Sequence, residues 1–262
     1  MKKYALIGEN ITYSFSHIVH QEIARLADIK LRYDILSVAP KAFVGAVNRL
    51  KQGYDGFNIT KPYKLDILPF LSQNHSKTQA VNTVKVLGGE LIGYNTDGLG
   101  FMRSLEYNNI DIDGDCLILG AGGAARTLAY ELDKVCNVFI YNRTKQKVFD
   151  IINDLKLKNT CWTDLKSLKP KVIINCTTLG LNDEMCLPDE ANLQNTQVFY
   201  DTIYNPPLTP MLKLAQKLGK TAVNGMGMLF FQALEAQKIW NNINLNQEQI
   251  SEALENICDK VK

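Results

Sequence analysis

The sequence predicts an α/β protein of two domains, the first built on a mostly parallel sheet and the second of the dinucleotide-binding type. Three observations carry this reading. Short β-rich runs alternate with longer runs of 3.6-residue periodicity. A glycine-rich turn, Gly120-Ala121-Gly122-Gly123-Ala124-Ala125, joins an apolar strand to a helix in mid-chain. The 262 residues are 46% hydrophobic and 21% charged, a globular composition in a chain long enough for two cores.

From the N-terminus, KYALIG reads as a strand, HIVHQEIARLAD as a helix, LRYDILSV as a strand, KAFVGAVNRLKQ as a helix and DGFNIT as a strand. Asn58-Ile59-Thr60-Lys61-Pro62-Tyr63-Lys64 is expected where that strand ends and a helix begins. NTVKVLGGELIGYNT differs, because two alternating runs flank Gly88-Gly89, a hairpin signal. DGLGFMRSLEYNN is helical and leads into the second unit. There DCLILG, NVFIYNRT, KVIINCTTLG, QVFYDTIYNPP and KTAVNG read as near-continuous apolar strands, as expected when helices cover both faces. The tail holds two helices, MGMLFFQALEAQKIWNN and NQEQISEALENICDKVK. In the last, Ile250, Leu254, Ile257 and Val261 form one apolar stripe. That stripe needs a surface, and the incomplete first unit offers one. The expected domains are therefore 1–97 plus 231–262, and 98–230, with a cleft between them.

Charge and cysteine usage exclude several classes. With 29 Lys+Arg against 27 Asp+Glu the net charge is +2, which favours neither nucleic acid nor an anionic membrane surface. No apolar run approaches the roughly 20 residues of a membrane helix. The apolar stretch in MKKYALIGEN is too short for a signal-peptide core, so a cytoplasmic protein is expected. Six cysteines are scattered without a C-x-x-C pair and read as reduced, mostly buried thiols. His17 and His20 share a helix face, yet no third ligand is recognisable nearby, so no metal is expected. A monomer or homodimer is expected.

The turn after CLIL has the form G-x-G-x-x-A. Gly120 allows the tight turn, Gly122 removes a side chain where backbone must approach a pyrophosphate, and Ala125 keeps the helix close to the sheet. The helix N-terminus adds unpaired N–H groups and a positive dipole end. The alternative is a purely structural turn. An NAD site would place an Asp or Glu at the end of the next strand for the ribose 2′-hydroxyl. Asn142, Arg143 and Thr144 stand there instead. An acid repels a 2′-phosphate and a guanidinium binds it, so NADP(H) is the expected cofactor, unless Arg143 is only a solvated surface charge.

Hydride transfer to or from a carbinol carbon needs a group that gives or takes the oxygen's proton. The histidines lie on no recognisable motif. Lys64 at one strand end and Asp97 in Asn95-Thr96-Asp97-Gly98 are the candidate pair, with the carboxylate fixing the ammonium. Taken alone, both suit solvated surface charges.

The chain resembles shikimate dehydrogenases along nearly its whole length. The resemblance rests on Ser14-Phe15-Ser16, Asn58-Ile59-Thr60 with Pro62-Tyr63-Lys64, Ala80-Val81-Asn82-Thr83, Gly93-Tyr94-Asn95-Thr96-Asp97-Gly98, the Gly120 turn, Asn142-Arg143-Thr144, Ile174-Asn175-Cys176-Thr177, Tyr200-Asp201 with Tyr204-Asn205-Pro206, and Gly225-Met226-Gly227-Met228-Leu229 with Gln232-Ala233. It implies NADP-dependent, reversible reduction of 3-dehydroshikimate to shikimate, a step of chorismate and aromatic amino acid biosynthesis. It also implies a substrate domain followed by a nucleotide domain of Rossmann type. By position, Ser14 and Ser16 would hold the substrate carboxylate with Tyr204 near that end. Thr60, Asn82, Asp97 and Gln232 would meet ring hydroxyls, and Lys64 would be the acid/base with Asp97 as its partner. Gly120, Ala121, Gly122, Gly123 and Ala124 would line the pyrophosphate, and Asn142, Arg143 and Thr144 the 2′-phosphate. Thr177, Gly225 and Met228 would lie near the ribose or nicotinamide.

The chain departs from the family at Phe15 and His17, where Lys and Pro are usual, and at Asn224, where many members have Asp. Plainer readings stand beside each assignment. Ser14 and Ser16 suit helix caps, Thr60 and Asn82 suit turns, and Met228 suits a core. The rival functions are a quinate/shikimate dehydrogenase of broader substrate or NAD use, and a non-catalytic NADP-sensing module.

Overall fold

A computed structural model describes residues 1–11, 14–165, 168–187 and 193–261. The chain divides into two compact units, Met1–Gly100 with Leu229–Lys262, and Phe101–Met228. Both crossings fall inside continuous helices, α3 (Asp97–Tyr107) and α7 (Met226–Asn241).

The first unit holds β1 (Lys2–Gly8), α1 (Ser16–Leu26), β2 (Leu31–Ser37), α2 (Phe43–Gly53), β3 (Gly56–Ile59), β4 (Gln73–Asn74), β5 (Thr83–Leu87) and β6 (Glu90–Tyr94), and closes with α8 (Gln247–Lys260). Its strands run in the order β2-β1-β3-β5-β6-β4. The β2, β1 and β3 ladders are parallel, β5 is antiparallel to β3 and β6, and β4 runs parallel to β6. The sheet is thus parallel on one side and mixed on the other. Gly88 and Gly89, at φ 58° and 77°, make the two-residue turn of the β5–β6 hairpin expected from the sequence. β4 went unpredicted because two exposed residues carry no periodicity.

Both sheet faces are covered. Ala5 and Ile7 pack with Phe57, Ile59 and the α2 residues Phe43, Val47 and Leu50 on one side. Tyr4 and Leu6, alternating with them, pack with Tyr33 and the α7 residues Ala236 and Trp240 on the other. Trp240 stacks on Tyr4 at 4.4 Å and donates its indole N–H to the Val84 carbonyl at 3.0 Å. A side chain at Gly56 would strike that indole, which is why the strand opens on glycine there. α8 lies along α1 and buries Ile250, Ala253 and Ile257, so the tail returns to the first unit. Val261 follows the helix as its cap, and Lys262 lies outside the described residues. Buried Glu22 of α1 fastens the two helices, accepting from Arg25, from Asn256 at 2.8 Å and from Lys260 at 2.7 Å.

The second unit holds β7 (Cys116–Leu119), α4 (Gly123–Leu132), β8 (Val138–Tyr141), α5 (Lys145–Leu155), β9 (Thr160–Trp162), β10 (Val172–Asn175), β11 (Val198–Asp201), α6 (Pro210–Lys217) and β12 (Thr221–Val223). All pairings are parallel, in the order β12-β11-β10-β7-β8-β9. Numbered within the unit, this is 3-2-1-4-5-6 read from the other edge, the doubly wound dinucleotide arrangement. Cys116 and Ile118 face α4 and α5, and Leu117 and Leu119 face α6. Strands covered on both sides explain the unbroken apolar runs. The topology reverses at β7 and β10, so their carboxyl ends mark the ligand crevice of this arrangement.

Candidate active site

Within the first unit, Lys64 and Asp97 are an ion pair, with Lys64 Nζ 2.5 Å from Asp97 Oδ2. Both side chains are largely enclosed, at 20% and 10% exposure, where charges interact more strongly than in water. Asp97 opens α3, so its carboxylate sits at the positive end of the helix dipole, and its backbone N–H is taken by Asn95 Oδ1 at 3.0 Å. Lys64 lies on a series of turns, not on the helix expected after the strand. Pro62 keeps the preceding Lys61 out of the helical region, so no helix runs on from the strand. Tyr63 anchors these turns by donating to the Val38 carbonyl at 2.5 Å and stacking on Phe43.

Asn82 supports the pair from behind. Its Nδ2 donates to Asp97 Oδ1 at 2.7 Å and to Thr96 Oγ1 at 3.0 Å, so both amide hydrogens are engaged. Its Oδ1 accepts from the Thr96 N–H at 2.8 Å and the Thr83 hydroxyl at 2.9 Å. Thr60 follows β3, with its N–H on the Ile7 carbonyl, and its methyl fills the space that a side chain at Gly8 would take. Gln232 on α7 is buried, and its backbone passes so close to Gly100 of α3 that a Cβ there would lie 2.5 Å from the Gln232 nitrogen. That close approach fixes Gln232 beside the helix that carries Asp97.

Ser14 and Ser16 are both buried, with hydroxyls 3.0 Å apart. Ser14 Oγ also accepts the Ser16 N–H at 3.2 Å, so it serves the start of α1 as well. His17, where the family usually has proline, holds the Ser14 carbonyl through Nδ1 at 2.7 Å. This bond restrains the loop that a proline would otherwise stiffen. His20 lies in the core, stacked on Tyr33 at 4.3 Å and bonded to Gln237, and burial pushes it down to about 3. It is therefore neutral. No group of three His, Cys, Asp or Glu side chains able to hold a metal occurs among the described residues.

In the second unit Gly120 has φ 103°, a backbone region that disfavours side chains, and a Cβ there would press on Cys176 and Thr177 after β10. Gly122 caps α4, and a Cβ on it would meet nothing within 4 Å. Open space above Gly122, beside the α4 amides, is what a pyrophosphate needs. Ala121, Gly123 and Ala124 complete the turn into α4, and buried Ala125 packs that helix on the sheet. Thr177 donates to Asn175 Oδ1 at 2.7 Å, which fixes the loop after β10. Asn142 donates to the Thr144 carbonyl at 2.9 Å and closes the turn into α5. Arg143 on that turn is exposed and makes no hydrogen bond or ion pair among the described residues. These features fit an NADP-type ligand.

Gly225 is required by packing, since a Cβ would collide with the Thr202 carbonyl. Asn224 accepts the Met226 N–H at 3.1 Å at the start of α7, a task aspartate performs equally well. Met228 is buried in the core shared by α4 and α5, in keeping with the plainer reading of that residue. Tyr204 belongs to the second unit, apart from the other substrate candidates, which all lie in the first. Its loop is held by buried Asp201, which accepts from Asn175, the Ile203 N–H and Thr209. Burial raises the Asp201 carboxyl above its ordinary range, and those three bonds oppose the shift. No helix among the described residues is long and apolar enough to cross a membrane.

Residues 6–85 match the family model described as shikimate dehydrogenase substrate binding domain. A shikimate dehydrogenase (NADP(+)) of Caldicellulosiruptor saccharolyticus is 42% identical over 99% of both chains. Among solved structures, a chorismate mutase/shikimate 5-dehydrogenase fusion protein from Clostridium acetobutylicum has TM-score 0.90 at 32% identity, covering 100% of this chain and 98% of that one. The shikimate 5-dehydrogenase from Thermus thermophilus in complex with NADP(H) and shikimate has TM-score 0.88 at 28% identity, covering 98% and 100%.

Proposed function

The chain belongs to the shikimate dehydrogenase family, and from that membership we propose that it catalyses the NADP-dependent, reversible reduction of 3-dehydroshikimate to shikimate. The observation that carries the chemistry is the enclosed Lys64–Asp97 pair, a proton donor held in one orientation by a carboxylate. In reduction, the Lys64 ammonium gives a proton to the ketone oxygen as that oxygen gains negative charge. In oxidation, the neutral amine takes the proton from the hydroxyl, and Asp97 stabilises the ammonium that results.

Bound NADP(H) supplies or accepts the hydride. For it, the α4 N-terminus and the Gly120–Ala124 turn would hold the pyrophosphate, and Arg143, with Asn142 and Thr144, the 2′-phosphate. Thr177, Gly225 and Met228 would border the ribose or nicotinamide. On the first unit, Ser14 and Ser16 would bind the substrate carboxylate. Thr60, Asn82, Asp97 and Gln232 would read the ring hydroxyls, and Tyr204 would reach the carboxylate end. A site of buried polar groups discriminates strongly, because a wrong ring leaves donors unpaired. The test is the absorbance change at the nicotinamide band with shikimate or quinate, each with NADP or NAD. Turnover with shikimate and NADP is expected. Turnover with quinate alone, or none with any pair, overturns the reading.

A further inference from the structure

Two residues of the sequence motifs, Asn58 and Thr83, have no part in the assignments above, yet both are buried directly behind the Lys64–Asp97 pair. A chain of hydrogen bonds joins them to it. The Tyr33 hydroxyl donates to Asn58 Oδ1 at 2.7 Å. Asn58 Nδ2 donates to Thr83 Oγ1 at 3.0 Å and to the Asn82 carbonyl at 3.1 Å. Thr83 Oγ1 passes its hydrogen to Asn82 Oδ1 at 2.9 Å, and Asn82 Nδ2 meets Asp97. Sheet order makes this possible, because β3 carries Asn58 beside β5 with Thr83, and only β1 lies between β3 and β2 with Tyr33.

The donor count decides what Thr83 does. An amide can present oxygen or nitrogen to Asp97, and only nitrogen is attractive to a carboxylate. The Thr83 hydroxyl has one hydrogen, and Asn58 Nδ2 occupies a lone pair of its oxygen. Of its two acceptors, Asn82 Oδ1 at 2.9 Å and Thr96 Oγ1 at 3.3 Å, the nearer takes the hydrogen, and together with the Thr96 N–H at 2.8 Å this turns Asn82 Nδ2 toward Asp97. We infer that Thr83 is a positioning residue for the reaction: its hydroxyl, beside the Thr96 N–H, holds the Asn82 amide, which aims the Asp97 carboxylate at Lys64. This inference rests on the Lys64–Asp97 reading of the active site.

Thr83→Val keeps the shape and removes the hydroxyl, and Thr83→Ser keeps the hydroxyl. With shikimate and NADP, the valine variant is expected to lose about 10- to 100-fold in kcat, the scale of a misplaced catalytic group. The pH profile of kcat should shift with it. The serine variant should recover most of kcat and the wild-type profile. NADP affinity should be the same in all three proteins. If the valine variant does not fold, as judged by circular dichroism, Thr83→Ala replaces it under the same criteria, since it asks the buried strand to accept no new atoms. A fall in thermal stability with kcat and the pH profile unchanged overturns the inference. So does a change confined to KM, or a loss that serine does not repair. Lys64→Ala is measured in parallel. If it keeps normal turnover, the acid/base reading itself falls. If it is inactive while Thr83→Val behaves as wild type, only the role of Thr83 falls.

Discussion

Asn82 and Lys64 share one carboxylate, Asn82 Nδ2 lying 2.7 Å from Oδ1 of Asp97 and Lys64 Nζ 2.5 Å from Oδ2. Asp97 is therefore clamped from both sides, and the Lys64 ammonium is presented from a fixed anion. Replacing Lys64 removes the proton donor and leaves the clamp's other half intact. Lys64→Ala should lower kcat by about 10²- to 10⁴-fold, the usual contribution of a general acid/base. Calorimetry should find NADP binding unchanged.

The two serines should separate. Ser14 Oγ accepts the Ser16 N–H, so Ser14→Ala loses a loop bond as well as a hydroxyl. Ser16→Ala loses its hydroxyl and the bond that hydroxyl accepts from Ser14, but keeps the Ser16 N–H bond that restrains the loop. Each hydrogen bond to a charged group is worth roughly 1.5–3 kcal/mol. Both variants should raise KM for shikimate by about 10-fold or more. Only Ser14→Ala should also lower the melting temperature. Wild-type KM in both, with altered melting alone, would leave them as loop residues.

Arg143 is exposed on the turn between β8 and α5. Removing its guanidinium should weaken NADP by about 10- to 150-fold, taking roughly 1.5–3 kcal/mol for a charge-assisted bond, and leave NAD nearly untouched. The penalty should shrink in high salt. Titration of both cofactors into wild type and Arg143→Ala checks this, and equal losses would refute the 2′-phosphate assignment.

Two glycines of the second unit should respond in opposite ways. Gly122→Ala places its methyl in open space, so the protein should fold with a nearly normal melting temperature and bind NADP at least about 10-fold more weakly. Gly225→Ala drives a methyl into the Thr202 backbone and should destabilise the fold before any ligand is added. Thermal melts with and without NADP distinguish the two.

Glu22 gives the acid limb of stability. Burial pushes its carboxyl up, but bonds from Arg25, Lys260 and Asn256 outweigh that and bring it down to about 2. A folded-state value below the unfolded one stabilises the protein above the ordinary carboxylate range near 4.5, and the contribution is lost as pH falls from there toward 2. The loss is roughly 2–3 kcal/mol at most. Urea melts of wild type and Glu22→Gln should differ most at neutral pH, narrow below pH 4.5 and converge only as pH falls through about 2.

Much of the fold was legible because its signals are local. Gly88-Gly89 announced a hairpin, and the strand before Gly120 and the helix after it announced a dinucleotide turn. Lys64 and Asp97 could be named from their motifs and expected as a pair, but the Asn82 amide that holds the carboxylate from behind could not be placed, since that depends on the turns after β3, the start of β5 and the start of α3 meeting across the sheet. Tyr33 gave no signal at all, as a tyrosine in an alternating strand looks like core. The unit boundaries were blurred for a related reason: α3 and α7 keep their periodicity straight through the crossings.

The last helices of the first unit have a consequence for how the chain is made. Lys260 lies 238 residues after its partner Glu22, and the whole second unit is synthesised between them. At about 5–20 residues per second, a ribosome leaves that carboxylate without its distal partners for roughly 10–50 seconds. The second unit is one uninterrupted stretch and can fold as it emerges, whereas the sheet translated first waits for α7 and α8. The nascent face that will receive Trp240 thus stays open through that interval, and the first sheet is covered only once α7 and α8 have been translated.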